Sequence, residues 1–417
     1  MRDVAAILGR VLADLLAASH LLAPDELSVT LAREAEPLGV SAARIYLADL
    51  QVRDLKAMPG GGSASSEVLP IDSTTAGLAF RTVTIQHDPV AGDGAHHLWI
   101  PVIDGTERIG VLELAVRDDG PEMLDCYRAL ASLAGLMIVS KSSYSDTYAH
   151  IQRSREMALQ GEMVWAFLAP RTFATEQVLV AATLEPAYEV GGDAFDYALL
   201  GDHLHVSIFD AVGHDLAAGL LASVGIASCR STRRAGGTLR DVVARADHAI
   251  AYEFGESRFV TALLCDLDVA TGEFSWIPCG HPPPLLIRDS RVIRELNRVP
   301  QLPLGLAELD RALRAARHDP AADAEIPVYT EQLEPGDRLL LYTDGITEGH
   351  ASNDQPFGVE RLTGFFVPHG DAQVPAPETL RQLNRAIVDY QQGRLSDDAT
   401  IVMVEWRPDR PGDQLTP

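Results

Sequence analysis

The sequence has few cysteines and no long apolar run. Its 417 residues contain four cysteines, which are scattered and form no CxxC pair, so we expect neither a disulfide framework nor secretion. No stretch reaches the roughly 18 consecutive apolar residues that a membrane span needs. We therefore expect a cytoplasmic protein with no membrane partner.

Positive charge is also scarce. The chain has 34 lysines and arginines against 59 aspartates and glutamates, a formal net charge of −25. Such a surface repels phosphate backbones, which argues against nucleic acid as a partner. What the sequence does have is 47% hydrophobic residues in a length that fits two or three domains, and this composition indicates packed globular structure.

Helical and strand-like patterns occur along the whole chain. The amino-terminal part shows helical apolar spacing, then a strand-like run at 43–50 and a hairpin pattern around Asp104 and Gly105. Residues 121–168 contain few helix breakers, which predicts one long helix. After Pro170, strand-like and helical segments alternate, so the pattern alone predicts mixed α and β structure.

Four acidic sites share one local pattern, in which a strand-like run ends or turns at an aspartate among small residues. They are Asp193 after Gly191 and Gly192, Asp210 before Ala211 and Gly213, Asp344 before Gly345, and the pair Asp397 and Asp398. A strand is a rigid support, and the glycines, which we expect to be structural, allow a close backbone approach. Gathered carboxylates repel one another unless a cation lies among them, and oxygen ligands without His or Cys favour Mg²⁺ or Mn²⁺.

A simpler interpretation exists for each acidic site taken alone. In a chain with 59 acidic residues, an aspartate beside a glycine is most often part of a turn. Four such sites at strand ends in one region are harder to explain as turns, but sequence spacing does not establish that they meet in space. Their convergence is the prediction that a structure tests.

An ordered set of short strings lies between residues 170 and 406. The strings are VGGDAFD (190–196), FDAVGHD (209–215), FVTALL (259–264), CGHPPPLL (279–286), LEPGDRLLLYTDGITE (333–348) and SDDATIV (396–402). This set resembles the SpoIIE/RsbU-type branch of the PP2C-like (PPM) serine/threonine phosphatases. The resemblance implies an α-β-β-α sandwich of two antiparallel sheets, an α+β fold with a site for two Mn²⁺ or Mg²⁺ ions at one end.

The resemblance also assigns roles to individual residues. It implies that Asp210 bridges both ions and is catalytic, and that the main-chain carbonyl of Ala211 is a further ligand. Asp344 and Asp397 match ligands of the second ion. Asp193 matches a position that holds the first ion through water.

Other residues near these strings are less fixed by the resemblance. Asp398 is a further candidate ligand, and His214 is a candidate catalytic proton donor. His281, followed by three prolines, is expected to be structural. The sequence departs from the commoner family string at Val212 and Asp215, which leaves open how Asp215 affects the approach of substrate.

Two divalent cations close together account for the expected chemistry. They lower the pKa of a shared water, which attacks phosphorus in line while the ions neutralise the phosphoryl oxygens, so no protein nucleophile is needed. By resemblance, the partner is a phosphorylated regulatory protein. It carries phosphoserine or phosphothreonine and is a STAS-domain antagonist of an anti-sigma factor, which acts through partner switching.

Residues 1–139 follow the helix, strand, loop, hairpin and helix order of a GAF-like sensor domain. The stretches 71–89 and 98–116 resemble that domain most. It would receive a small-molecule or protein signal. His96 and His97 are neighbours on a predicted strand and face opposite sides, so they do not grip one ion together, which argues against haem.

The expected organisation continues with a connecting helix at 140–169, a phosphatase domain at 170–407 and a disordered tail at 408–417. The connecting helix would carry regulation and offers a route to a homodimer, although its apolar stripe is irregular for a coiled coil. Two other functions stay open. One is a non-catalytic signalling scaffold, and the other is a GAF-type small-molecule receptor whose second domain only dimerises.

Overall fold

The computed structural model describes residues 4–60, 67–88, 96–255, 258–307, 311, 325–349, 355–366, 375–392, 395 and 397–408. The chain divides into two compact units, the first ending at Glu156 and the second beginning at Met157. Nearly all of the predicted tail, residues 409–417, lies outside the described residues.

The first unit is a sheet covered by helices on both faces. Its helices are α1 (Val4–Ser19), α2 (Leu27–Glu34), α3 (Thr75–Thr82), α4 (Pro121–Ser142) and α5 (Asp146–Gln152). Its strands are β1 (Val40–Ala48), β2 (Asp54–Ala57), β3 (Val68–Pro70), β4 (Gln86–His87), β5 (His96–Asp104) and β6 (Glu107–Val116). All neighbours are antiparallel, in the order β3-β2-β1-β6-β5-β4.

Alternation along the central strands separates the two faces of this sheet. Ile45 of β1 lies opposite Leu112 of β6, and both belong to the core that α1, α2 and α4 cover. The next pair, Tyr46 and Val111, belongs to a second core with Phe80 of α3. Successive strand residues point to opposite faces, so one sheet supports both helical layers.

The predicted hairpin is present as β5 and β6. Asp104 pairs with Glu107 across the turn, where Gly105 has a φ of +57°. His96 Nδ1 lies 3.3 Å from an oxygen of Asp119, and His97 Nδ1 lies 3.8 Å from an oxygen of Glu113. The two rings therefore face different carboxylates, as expected for adjacent strand residues.

Helix α4 is the one described helix that is long and apolar enough to cross a membrane, by length and composition alone. Half of its apolar window is buried. Its residues Tyr127, Leu130 and Ala134 belong to the core of the first unit. It therefore packs as a core helix of this unit.

The prediction of one helix through 121–168, which included the connecting helix at 140–169, is wrong. Helix α4 ends at Ser142, α5 begins at Asp146, and a third helix begins only at Leu159. Ser145 interrupts the run with extended backbone, and its hydroxyl accepts a hydrogen bond from the Thr147 N–H at 3.2 Å. A serine that caps a new helix competes with continuation of the previous one.

The second unit contains two antiparallel sheets. Its helices are α6 (Leu159–Phe167), α7 (Leu216–Arg234), α8 (Leu239–Phe254), α9 (Asp344–Thr347), α10 (Gly358–Gly364) and α11 (Ala376–Tyr390). Its strands are β7 (Thr172–Ala174), β8 (Val178–Glu185), β9 (Asp193–Leu200), β10 (His203–Ala211), β11 (Val260–Asp268), β12 (Glu273–Cys279), β13 (Leu285–Arg288), β14 (Arg291–Glu295), β15 (Tyr329–Gln332), β16 (Arg338–Tyr342) and β17 (Ala399–Trp406). The five-stranded sheet has the order β15-β12-β11-β10-β9, and the six-stranded sheet has the order β14-β13-β16-β17-β8-β7.

The buried faces of these sheets define a four-layer sandwich. In β17, Val402 and Val404 belong to the core that includes the five-stranded sheet, α7 and α8. Ile401 and Met403 of the same strand belong to a separate core with Leu383 of α11. The helices α7 and α8 contact the five-stranded sheet, and α11 contacts the six-stranded sheet. The expected α-β-β-α sandwich is therefore confirmed.

Candidate metal centre

The strand ends of both sheets bring the predicted aspartates toward one end of the sandwich. Asp193 begins β9 and lies directly opposite Asp210 of β10. In the other sheet, Asp344 begins α9 just after β16, and Asp397 and Asp398 precede β17. Because Tyr342 pairs with Ile401 across β16 and β17, the ends that carry these residues are adjacent.

Asp398 links the two sheets through backbone hydrogen bonds. Its Oδ2 accepts from the N–H groups of Gly191 at 2.8 Å, Gly192 at 2.7 Å and Asp193 at 3.2 Å. Asp398 is buried, so these bonds compensate part of the cost of its burial. This candidate ligand therefore fixes the start of β9 with one of its oxygens.

The glycines beside Asp193 allow a close contact with the loop that follows Asp210. A Cβ at Gly192 would lie 2.5 Å from the Ala211 carbonyl oxygen, and a Cβ at Gly191 would lie 2.6 Å from the His214 carbonyl. Real Cβ atoms do not approach backbone so closely. Because they lack a side chain, the two glycines let the backbone of this loop pack directly against the start of β9.

Thr343 is a residue of this centre that sequence reasoning missed. Its hydroxyl donates to Asp193 Oδ2 at 2.7 Å and accepts from the Thr400 N–H at 2.9 Å. Both Thr343 and Asp193 are buried. The only sequence signal was the position of Thr343 immediately before Asp344, and it gives no hint of a bond to a residue 150 positions away.

The aspartates perturb one another electrostatically. Burial raises the pKa of Asp210 to about 7, and the carboxylates of Asp344, Asp397 and Asp398 add to this rise, while a hydrogen bond with Thr261 opposes it. The pKa of buried Asp193 is raised well above its usual range, first by burial and then by Asp210 and Asp398. Burial and mutual repulsion therefore both disfavour the charged form of these two carboxyl groups.

Asp344 and Asp397 form the more open side of the centre. Asp344 is half-buried and Asp397 is exposed. Burial, Glu348 and Asp397 raise the pKa of Asp344. The Oδ1 atom of Asp397 accepts the N–H of Asp398 at 2.9 Å.

The donor set fits a hard divalent cation. Among the described residues, no group of three or more His, Cys, Asp or Glu side chains is placed to hold one ion. The donors that converge are carboxylate oxygens, which Mg²⁺ and Mn²⁺ prefer, and their repulsion is what a cation would neutralise. The residues near the strand ends thus have the right chemistry for such a cation.

The two histidines considered in the sequence lie in different settings. His214 is exposed in the loop after Asp210. His281 is buried, and its Nδ1 lies 2.9 Å from the hydroxyl of Thr261, which pairs with Asp210 across β10 and β11. Burial lowers the pKa of His281 to about 3. Its imidazole is therefore neutral at physiological pH, in agreement with the structural role expected for it.

Most of the second unit matches a known protein family. The family described as Stage II sporulation protein E (SpoIIE) matches residues 201–407. This segment is a SpoIIE-type phosphatase domain. The match contains Asp210, Asp344, Asp397 and Asp398 but begins after Asp193, so the SpoIIE-type match does not cover the whole of the centre.

The individual relatives of this chain are distant in sequence. Phosphoserine phosphatase RsbU of Bacillus subtilis is 20% identical, over 67% of this chain and 80% of its own length. Protein IcfG of Synechocystis sp. is 24% identical over 55% of this chain, which spans only 38% of IcfG. Among solved structures, the SiaA-PP2C domain of Pseudomonas aeruginosa is 19% identical with a TM-score of 0.45, covering 54% of this chain and 85% of that domain.

Proposed function

We propose that this chain is a metal-dependent protein phosphatase that hydrolyses phosphoserine or phosphothreonine on a regulatory protein. The observation that carries the proposal is the convergence of aspartates from both sheets, where burial and then the neighbouring carboxylates raise the pKa of Asp210 to about 7. The similarity to RsbU, which is named a phosphoserine phosphatase, supports the same substrate class.

Two Mn²⁺ or Mg²⁺ ions are the proposed cofactors. Asp210, the main-chain carbonyl of Ala211, Asp344 and Asp397 would hold them, with Asp193 acting through water. Such ions, when bound, supply an activated water and neutralise charge on phosphoryl oxygens. We assign Asp398 mainly to positioning, because its Oδ2 already accepts three N–H groups.

The protein groups around the ligands hold them in place. Thr343 fixes one oxygen of Asp193, and Thr261 shares a hydrogen bond with Asp210. In the net reaction, the oxygen of one water bonds to phosphorus and the bond from phosphorus to the serine oxygen breaks. The products are serine, which gains a proton, and inorganic phosphate. His214 is the proposed donor of that proton, because it is exposed beside the centre.

Partners and regulation follow from the resemblance. The proposed substrate is a STAS-domain antagonist of an anti-sigma factor, in the cytoplasm. The first unit, with a six-stranded sheet between helices, would be a GAF-like sensor for a small-molecule or protein signal, and the segment 140–169 would transmit it or join two chains. Any such transmission passes through the end of α4 and the two shorter helices α5 and α6 rather than through one continuous helix.

The test is phosphate release by the full chain with Mn²⁺, from p-nitrophenyl phosphate and from a phosphorylated STAS-domain protein. We expect Asp210→Asn and Asp344→Asn to lower the rate by more than about 100-fold, because even partners that only orient metal ligands are worth 10–100-fold. Asp266→Asn, at the opposite end of β11, is the matched control and should keep the rate. Binding of the phosphoprotein without any release of phosphate would favour the scaffold function instead.

A further inference from the structure

An ion pair lies on the loop that follows Asp210. Arg258 Nη1 donates to Asp215 Oδ1 at 3.0 Å, and Nη2 donates to Oδ2 at 2.9 Å. Nη1 also donates to the carbonyl oxygen of Val212 at 3.4 Å. Asp215 in turn caps α7, because its Oδ1 accepts the N–H of Ala218 at 3.0 Å. The guanidinium is thus held against the loop at a fixed orientation.

As far as the described residues show, this arrangement leaves one edge of the guanidinium without an acceptor. The pair of bonds to Asp215 uses the edge formed by Nη1 and Nη2, and the remaining N–H of Nη1 faces Val212. Within the described residues, the Nε–H and the second N–H of Nη2 have no hydrogen-bond acceptor. These two parallel donors match the geometry of a phosphate or carboxylate group. The Arg258 side chain is 31% exposed, so an anion has access to it.

Stability alone gives little reason for this pair. Asp215 is 54% exposed, and exposed ion pairs typically contribute about 0–1 kcal/mol. The location suggests a different role. A phosphorylated substrate is an anion, and the chain that it approaches carries a formal net charge of −25, which repels it. A cation oriented at the border of this centre would offset that repulsion and fix the substrate.

We propose that Arg258 is a substrate-binding residue whose free edge recognises an oxyanion of the phosphoprotein, and that Asp215 orients it. The inference rests on the proposed function and names a residue that sets its specificity. Arg258 precedes Thr261, which pairs with Asp210, by three residues, or about 10 Å of extended chain. The oxyanion is therefore either the phosphoryl group or a carboxylate next to the phosphoserine. By orienting Arg258, Asp215 would favour anionic substrates.

The experiment compares steady-state kinetics of the full chain with Mn²⁺ on three substrates. They are p-nitrophenyl phosphate, a phosphoserine peptide with flanking aspartates, and the same peptide with asparagines. We expect Arg258→Ala to raise KM for the aspartate peptide about tenfold with little change in kcat, the loss typical of a charge-assisted hydrogen bond. Arg258→Lys keeps the positive charge but loses the two parallel N–H donors, so KM should rise less than in Arg258→Ala. Arg291→Ala, which removes an exposed arginine from β14, should leave KM and kcat unchanged for all three substrates.

The pattern across substrates identifies the oxyanion. A rise in KM for all three substrates assigns Arg258 to the phosphoryl group, whereas a rise confined to the aspartate peptide assigns it to a neighbouring carboxylate. A fall in kcat at unchanged KM, or no change in either constant, would overturn the inference.

A binding measurement separates this inference from the proposed function. The aspartate peptide with a non-hydrolysable phosphonate in place of the phosphate should bind the wild-type chain about tenfold more tightly than Arg258→Ala. Equal affinities would reject the role of Arg258. If this difference is found while the phosphoserine peptide is never hydrolysed, the proposed function fails and the anion site stands.

Discussion

The two ends of the β10–β11 strand pair shift the pKa of an aspartate in opposite directions. At one end, His203 Nδ1 lies 2.8 Å and His205 Nδ1 lies 2.6 Å from the two oxygens of Asp266. Burial alone would raise the pKa of Asp266, but the two histidines outweigh burial and lower it. At the other end, burial and neighbouring carboxylates raise the pKa of Asp210 to about 7. The same sheet thus neutralises one carboxylate and leaves the other without a compensating charge.

A second contrast lies within β9. Asp193 and Asp196 are both 1% exposed. Asp196 Oδ1 accepts from Arg230 Nη2 at 2.7 Å, and its Oδ2 accepts from Arg233 Nη2 at 3.2 Å. Asp193 faces Asp210 instead. A buried carboxylate with arginine partners stabilises the fold, whereas in the proposed function a buried carboxylate among other carboxylates interacts with a bound cation.

The largest difference in stability should appear when each of these two aspartates is replaced separately by asparagine in metal-free protein. Asp196→Asn leaves two arginines without their counter-charge and should lower the free energy of unfolding by about 3 kcal/mol. Asp193→Asn replaces a carboxyl group whose pKa burial and neighbouring carboxylates raise well above its usual range, and it should leave that free energy equal or higher. Urea unfolding in the presence of a chelator measures both variants. An equal loss of unfolding free energy in the two variants would contradict the different roles assigned to Asp196 and Asp193.

A smaller effect should appear in the pH dependence of stability at the Asp266 end. The pKa of His203 is raised by its hydrogen bond to Asp266. The stabilisation from His203 is therefore complete below its unfolded pKa of about 6.5 and is lost as the pH rises through the higher folded pKa. Because the His203 side chain is 56% exposed, the effect should stay below about 1 kcal/mol.

The measurement for this effect is urea unfolding of the wild type and Asp266→Asn between pH 5 and pH 9. The stability difference between them should shrink as the pH rises. A difference that grows above pH 7 would mean that His203 is not the group responsible. Asp14→Asn, which removes an exposed aspartate from α1, serves as a control for the loss of one negative charge.

The sequence was sufficient for those parts of the fold that depend on local pattern. The strand-like run at 43–50 overlaps β1, and the hairpin pattern around Asp104 and Gly105 is the pair of β5 and β6. The strand β9 was not predicted, because its first residues were considered only as a motif around Asp193. The break in the predicted long helix was also missed, since it depends on the cap at Ser145 rather than on proline or glycine.

In the candidate metal centre too, short sequence patterns predicted the aspartates but not the long-range contacts that hold them. That the aspartates would converge was inferred from four short patterns, and the structure places them at adjoining strand ends. Sequence spacing did not reveal that Asp398 would accept three N–H groups from residues 191–193, more than 200 positions away. Nor did it reveal the bond from Thr343 to Asp193. Such contacts depend on which strands pair, and only the folded chain shows that.

The central claim is that carboxylates lacking a compensating charge gather at one end of the sandwich to hold divalent cations. Calorimetric titration of metal-free protein with Mn²⁺ tests it most directly, with thermal unfolding as a second readout. The account predicts two ions bound per wild-type chain, a stability gain of about 2.7 kcal/mol at 100 times the Kd, and the loss of both effects in Asp210→Asn but not in Asp266→Asn. Absence of binding by the wild type, or equal binding by Asp210→Asn, would contradict it.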